Sequence, residues 1–139
     1  MFLILKVESE ELFQTNKTTK SELLMERLYN KLVRDNIPSI IKSKGEIPIT
    51  RILSAEEYKA ELERKLNEEY HEVLDASGRD RLEELADMIE VIKYLAKVEC
   101  SSLSEVIAIA EEKSLKRGSF EEKIFLEKVL KENSKDVLN

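Results

Sequence analysis

Two pairs of acidic residues have the side-chain type and the spacing that a metal-binding site requires. Glu69 and Glu72 form the first pair, and Glu84 and Asp87 form the second. The acids of each pair are three residues apart, so on a helix both members lie on the same face. Carboxylate oxygens are the ligands that Mg²⁺ and Mn²⁺ prefer, whereas zinc and copper favour nitrogen and sulfur. The pairs are therefore candidate ligands of a hard divalent cation.

A helical wheel distinguishes these pairs from the other acids of the chain. At about 100° per residue, apolar residues fall within roughly 60° of Glu69 and within roughly 40° of Glu84. They are Tyr58, Leu62, Leu66 and Val73 around Glu69, and Met88, Val91, Leu95 and Val98 around Glu84. Glu72 and Asp87 each lie at about 60° from their partner, on the edge of the stripe. We expect no Lys or Arg in these stripes, and because a buried carboxylate is costly without a positive partner, a bound cation is favoured.

The alternative is that both helices are highly charged and that their acids face water. Charged residues make up 37% of the chain, so the spacing alone carries no information. Glu72 and Asp75 have the same spacing, yet Asp75 rotates to the polar side of the helix. The wheel position of both pairs favours the metal site.

Composition limits the classes of protein to which the chain can belong. Its 139 residues suffice for one domain with a core, and its 3 Gly and 2 Pro favour an all-α protein. A net charge of −6 argues against a nucleic-acid polymer as partner, because such binders are usually basic. The lone cysteine fits a cytoplasmic protein, and the apolar runs are too short to span a membrane.

The elements that position the acids follow from capping signals. The capping box from Ser54 to Glu57 opens a first long helix at about residues 55–76, which Gly78 closes. Asp80 caps a second helix over about residues 81–99. The short turn between the helices predicts an antiparallel helix hairpin, in which the two acidic pairs can face each other.

Basic residues precede a shorter helix, which Asp35 or Asn36 caps, which has Pro38 in its first turn and which ends at Gly45. Lys31 and Arg34 lie just before it, which is a natural place for phosphate to bind. An ordinary capped helix with two surface cations is the alternative, and the spacing alone favours that alternative.

A second basic group lies near the end of a later helix, which the capping box from Ser102 to Glu105 opens and Gly118 ends. Lys113, Lys116 and Arg117 form the group. They either stabilise the helix dipole or bind phosphate, and spacing leaves both functions open.

The ends of the chain are less informative. Residues 1–28 form an N-terminal extension of unknown role in this interpretation, and residues 29–139 form the main domain. Residues 120–130 fit either a helix or a short extended run.

Three stretches together resemble one protein family. Glu68, Glu69, Glu72, Glu84 and Asp87, in the order EExxE and then ExxD, resemble the metal signature of the all-α nucleotide pyrophosphohydrolases, the MazG-like superfamily. The stretch from Tyr29 to Pro38 resembles the opening motif of the phosphoribosyl-ATP pyrophosphohydrolase-like branch. Lys113, Lys116, Arg117, Gly118 and Phe120 resemble the closing motif of that branch. The resemblance covers about residues 29–130.

This resemblance implies an enzyme that hydrolyses a nucleoside triphosphate, or a related nucleotide, to the monophosphate and pyrophosphate in nucleotide-pool house-cleaning. It implies that Mg²⁺, or Mn²⁺, is held by Glu69, Glu72, Glu84 and Asp87. Glu68 would be an outer or second-ion ligand, and Glu72 or Glu68 would orient the attacking water. The nucleotide would contact Asn30, Lys31, Arg34, Lys113, Lys116 and Arg117. The family also implies a homo-oligomer, a dimer or a dimer of dimers, whose site is built from two chains.

Two positions depart from the family pattern, and both concern substrate contacts. Asn36 stands where the branch usually has a basic residue, and Ser119 stands where a second glycine is common.

The candidates for base recognition are Tyr29, Asn30, Tyr94 and Phe120. The alternative functions are the phosphoribosyl-ATP pyrophosphohydrolase step of histidine biosynthesis, a non-catalytic nucleotide-binding helical module, and a helical module that binds a protein partner.

Overall fold

The computed structural model describes residues 13–16 and 24–132, and this part of the chain is mostly helical. Its helices are α1, Ile37–Ser43; α2, Ala55–Asp75; α3, Gly78–Val98; and α4, Leu103–Arg117. The expectation of an all-α protein is confirmed for the body of the described chain. No described helix combines the length and the apolar composition that a membrane span requires.

Two short strands precede the helices. Strand β1, Phe13–Asn16, pairs antiparallel with β2, Leu24–Arg27, and Phe13 lies opposite Arg27. Both strands belong to the predicted extension at residues 1–28, for which no strand was predicted. Residues 1–12 and 17–23 of that extension lie outside the described residues.

Helix α1 begins at Ile37, directly after Asn36, and Pro38 lies in its first turn as predicted. The side chain of Asn36 makes no capping hydrogen bond, so the expected side-chain cap is wrong. Asn36 already has helical backbone angles, and the Ile37 amide donates to the Arg34 carbonyl at 3.0 Å. This turn brings the chain from Arg34 directly into the helix and buries Ile37.

Helix α2 begins with the predicted capping box. The Glu57 amide donates to Ser54 Oγ at 3.2 Å, and the Ser54 amide donates to Glu57 Oε2 at 3.0 Å. Arg51 Nη2 lies 3.0 Å from Glu57 Oε1. Hydrogen bonds from Arg51 and Ser54 lower the pKa of Glu57 to about 2. The start of the helix that carries Glu69 is therefore fixed by reciprocal bonds.

Only Ala76 and Ser77 separate α2 from α3. The second long helix begins at Gly78, so its predicted start at about residue 81 is wrong. Gly78 has a φ of 57°, a left-handed conformation that glycine adopts without steric cost and that lets the chain turn at once into α3. Asp80 lies in the first turn, where its charge favours the helix dipole rather than capping the helix.

Helix α4 has half of its predicted capping box. Ser102 Oγ accepts from the Glu105 amide at 3.2 Å, but the Glu105 carboxylate accepts from Ser101 Oγ instead of the Ser102 amide. The helix ends at Arg117, and Gly118 follows with a φ of 78°. Residues 120–130 form neither a helix nor a strand.

Contacts divide the chain into two units, one ending at Leu95 and one beginning at Ala96. The boundary predicted after residue 28 stays a prediction. Among the described residues of the first unit, the buried apolar side chains are Ile37, Leu62 and Val91.

Candidate metal centre and adjoining cleft

Two glutamates are among the most buried side chains of the first unit. Glu69 on α2 is 1% exposed, and Glu84 on α3 is 4% exposed. Glu72 and Asp87 are half-buried, as expected for residues at the edge of each stripe. The wheel therefore predicted correctly which acid of each pair faces the interior.

Three acids converge to form the acid cluster, which consists of Glu69, Glu84 and Asp87. Each offers one carboxylate oxygen, and these oxygens all lie within 4.8 Å of one another. The structure thus brings together three of the four predicted metal ligands, from two helices. Glu72 and Glu68 are not members of this cluster, and their predicted roles stay predictions.

Burial and charge act together on Glu69. Its pKa is raised to about 7 by burial, and the neighbouring charges of Asp87, Glu68 and Glu84 add to the rise, whereas Lys65 opposes it. Glu69 Oε2 is buried and accepts no hydrogen bond. A buried carboxylate oxygen without a partner is costly, and a set of oxygen ligands suits Mg²⁺ or Mn²⁺. The residues present therefore fit a hard divalent cation.

A lysine accompanies the acids on α2, so the expectation that the stripe holds no cation is wrong. Lys65 Nζ lies 3.8 Å from Glu69 Oε1 and 3.6 Å from Glu68 Oε2. Lys65 lies one turn before Glu69, at about 40° on the wheel, and its long side chain can follow the apolar surface while its ammonium stays near the acids. It partly neutralises Glu69 on the side of Oε1 and leaves Oε2 without a hydrogen bond.

The segment before α1 carries cations to both long helices. Arg34 Nη2 lies 2.8 Å from Asp87 Oδ1 on α3, and Lys31 Nζ lies 3.4 Å from Glu68 Oε1 on α2. These are two of the residues that sequence analysis offered for phosphate binding. The structure places both beside the acids, and their contact with a nucleotide stays a prediction.

A cleft of about 270 Å³ lies between this segment and α2. Its wall includes Tyr29, Asn30, Lys31, Glu61, Arg64, Lys65, Asn67 and Glu68. Asn30 has a φ of 44°, a left-handed conformation that asparagine adopts more readily than most residues. The sequence motifs point to Asn30 but not to Arg64, Lys65 or Asn67. The available signal was that these residues lie within about one helical turn before Glu68 and Glu69.

The predicted cations of α4 lie in the second unit. Lys113, Lys116 and Arg117 are exposed, and Lys116 pairs with Glu112 of the same helix. Lys116 and Arg117 occupy the last turn, where cations stabilise the helix dipole. Their role in nucleotide binding stays a prediction, as does that of Phe120, which is also exposed.

Comparison with known proteins gives one partial relative. The chain is 49% identical over 49 residues to an uncharacterized protein of Mycolicibacterium smegmatis. The match covers 35% of this chain, and the chain spans about half the length of that protein, 50%. No family model matches the sequence, and no solved structure matches the fold. Membership of the all-α nucleotide pyrophosphohydrolases therefore stays a prediction.

Proposed function

We propose that the protein is a Mg²⁺-dependent nucleotide pyrophosphohydrolase, which converts a nucleoside triphosphate or a related nucleotide to the monophosphate and pyrophosphate. The observation that carries this proposal is the convergence of Glu69, Glu84 and Asp87 within 4.8 Å. If these acids were merely solvated surface charges, they would face water, yet Glu69 and Glu84 are buried. The order of the sequence motifs supports the choice of nucleotide chemistry.

The acid cluster would hold the metal through carboxylate oxygens. When bound, such an ion supplies positive charge to the phosphate chain and lowers the pKa of water. In the reaction the water oxygen bonds to a phosphorus, the bridging P–O bond breaks, and pyrophosphate leaves with the electron pair. The proton of the water passes to a carboxylate, for which Glu68 and Glu72 are the candidates.

Arg34 and Lys31 would bind the phosphates. Both already lie beside carboxylates, at 2.8 Å from Asp87 and 3.4 Å from Glu68. A triphosphate offers them more negative charge than a single carboxylate, and an arginine can bind phosphate oxygens in a bidentate manner. We expect both side chains to exchange their carboxylate for phosphate when the substrate binds.

We further propose that α2 and α3 form an antiparallel hairpin and that the protein is a homo-oligomer, a dimer or a dimer of dimers. An apolar face of α3 supports the oligomer, because Leu82, Leu85 and Ile89 recur at helical spacing and are all exposed. Ile89→Glu should shift the wild-type oligomer to monomer in sedimentation velocity. A monomeric wild-type protein would contradict the oligomer but not the metal site.

A screen for released pyrophosphate tests the activity. Canonical and damaged nucleoside triphosphates and phosphoribosyl-ATP are each incubated with the protein, with Mg²⁺ or with EDTA. We expect Mg²⁺-dependent release of pyrophosphate from at least one triphosphate. A clear preference for phosphoribosyl-ATP would select the histidine-biosynthesis alternative. Binding of nucleotides with no release from any of them would contradict the enzyme.

A further inference from the structure

The cleft and the acid cluster are joined by shared residues. Lys65 lines the cleft, and its ammonium lies 3.8 Å from Glu69 Oε1 of the cluster. Glu68 also lines the cleft and directly precedes Glu69 in the sequence. A ligand in the cleft would therefore extend one end toward the carboxylates of the cluster.

The charges in the wall of the cleft are already paired with one another. Lys31 and Lys65 lie 3.4 and 3.6 Å from Glu68, and Arg64 lies 3.2 Å from Glu61. Lys31 and Lys65 share the carboxylate of Glu68, so the wall carries three cations and two carboxylates. This excess of one positive charge allows Lys31 to bind a phosphate, whereas the paired remainder of the wall suits a polar, uncharged group.

The neutral groups of the wall can recognise such a ligand. Asn30, from the segment before α1, and Asn67, on α2, both line the cleft, and each amide offers both a donor and an acceptor. Tyr29 contributes an aromatic ring, and the Arg27 guanidinium carbon lies 5.0 Å from its centroid. Amides that read a base edge and an aromatic ring that stacks on a base are the recurring elements of base recognition in proteins.

The size of the cleft also restricts the ligand. Its volume of about 270 Å³ is below the range of roughly 300–1,000 Å³ that is usual for drug-sized ligands. A base with its sugar is a ligand of that smaller class, whereas a complete nucleoside triphosphate is larger and must extend beyond the cleft.

We propose that the cleft binds the nucleoside end of the nucleotide, with Asn30 and Asn67 contacting the base and Tyr29 stacking against it. The proposal deepens the proposed function and rests on it for the phosphate end of the same ligand. It adds Asn67 to the substrate site and leaves Tyr94, another candidate for base recognition, outside the wall of the cleft.

Binding of nucleoside monophosphates in EDTA tests the cleft without the metal. AMP, GMP, CMP and UMP are titrated by calorimetry, and ribose 5-phosphate serves as the ligand without a base. Asn67→Leu keeps the size of the side chain but removes its amide, and Tyr29→Ala removes the ring that Tyr29→Phe keeps. Lys59→Ala, at an exposed position of α2 outside the cleft wall, is the matched control.

We expect at least one monophosphate to bind more tightly than ribose 5-phosphate. Asn67→Leu and Tyr29→Ala should each weaken that binding by about tenfold, whereas Tyr29→Phe and Lys59→Ala should stay close to wild type. With the triphosphate substrate, both weakened variants should raise KM about tenfold and keep kcat. Circular dichroism should show the same helix content in every variant.

Two results would overturn the cleft assignment: no preference for any monophosphate over ribose 5-phosphate, or unchanged affinity and KM in both folded variants. In the second case pyrophosphate release by the wild type would leave the proposed function intact. Conversely, binding that depends on Asn67 and Tyr29 in a protein that releases no pyrophosphate would support the cleft and contradict the hydrolase.

Discussion

The two acidic pairs have the same spacing and the same position in their helical stripes, yet they contribute different numbers of residues to the acid cluster. On α3 both members, Glu84 and Asp87, belong to the acid cluster, whereas on α2 only Glu69 does. Their counter-ions also differ. Lys65 of the same helix approaches Glu69, but Asp87 is approached by Arg34 from the segment before α1.

In the proposed antiparallel hairpin, position along the helix would account for this difference. Glu69 lies seven residues before Ala76, and Glu84 lies seven residues after Ser77. In an antiparallel hairpin the two acids therefore lie at the same level along the helix axes. Glu72 is about one turn closer to the bend and Asp87 about one turn farther from it, which separates them by roughly 9 Å along the axis. A helical wheel shows which face a residue occupies but not its level, and the level decides which acids meet.

The largest predicted effect tests whether Glu69 and Glu72 of α2 contribute unequally to turnover. Glu69→Gln removes a charge from the acid cluster and should reduce pyrophosphate release by about a hundred- to a thousandfold. Glu72→Gln should have a smaller effect, because Glu72 lies outside the cluster. Both variants are compared in steady-state kinetics at saturating Mg²⁺.

Asp75→Asn is the control for this series, since Asp75 has the same spacing from Glu72 but is exposed. It should retain wild-type turnover. Equal losses in Glu69→Gln and Glu72→Gln would remove the distinction between the two acids, and near-normal turnover in Glu69→Gln would remove that residue from the site.

A second prediction uses the unusual pKa of Glu69. Burial raises this pKa from 4.5 to about 7, so between these pH values the folded, metal-free protein holds a proton that the unfolded chain has lost. The contribution of Glu69 to the free energy of unfolding is therefore complete below pH 4.5 and declines as pH rises to 7, by on the order of 3 kcal/mol. Thermal melts in EDTA across this range should show the decline in the wild type and much less of it in Glu69→Gln.

Mg²⁺ should oppose this loss of stability at higher pH, because it binds the ionised carboxylate of Glu69. The increase in Tm on adding Mg²⁺ should be larger at pH 8 than at pH 5.5, as expected for a ligand that competes with a proton. An increase of equal size at both pH values would mean that Mg²⁺ stabilises the protein without the carboxylate of Glu69.

The smallest predicted effect concerns the counter-ion of the α3 pair. Arg34→Gln removes the guanidinium that lies 2.8 Å from Asp87 Oδ1. The positive charge of Arg34 repels a bound metal ion, so the variant should bind Mn²⁺ up to about tenfold more tightly in the absence of nucleotide. Its turnover should fall, because Arg34 is also proposed to bind the phosphates. Arg79→Gln, which removes an exposed arginine of α3, is the control and should change neither quantity. Weaker Mn²⁺ binding by Arg34→Gln would show that Arg34 organises the site instead of competing for it.

Local sequence signals predicted most of the helices. The capping box at Ser54 fixes the start of α2, and Gly118 follows the end of α4 as expected. The start of α3 was misplaced because Asp80 and Gly78 are competing signals, and the left-handed conformation of Gly78 let the helix begin three residues earlier. The strands β1 and β2 were missed because each has only four residues and the sequence between them, residues 17–23, is mostly polar.

The sequence predicted the two buried acids of the candidate site, but it did not predict the ion pairs that accompany the acids. Glu69 and Glu84 were identified because burial follows from periodicity within one helix. The pairing of Arg34 with Asp87 joins residues far apart in sequence, which no local pattern specifies. The helical wheel places Lys65 close to Glu69. The ion pair between them was not predicted because a lysine in an apolar stripe usually carries its ammonium to the surface.

Direct measurement of Mn²⁺ binding by electron paramagnetic resonance tests the central claim, that Glu69, Glu84 and Asp87 together hold a divalent cation. We predict a saturable site in the wild-type protein, displaced by Mg²⁺, weakened at least about tenfold in Glu84→Gln and unchanged in Asp75→Asn. A wild-type protein without saturable binding, or a folded Glu84→Gln variant that binds Mn²⁺ as tightly as the wild type, would contradict the account.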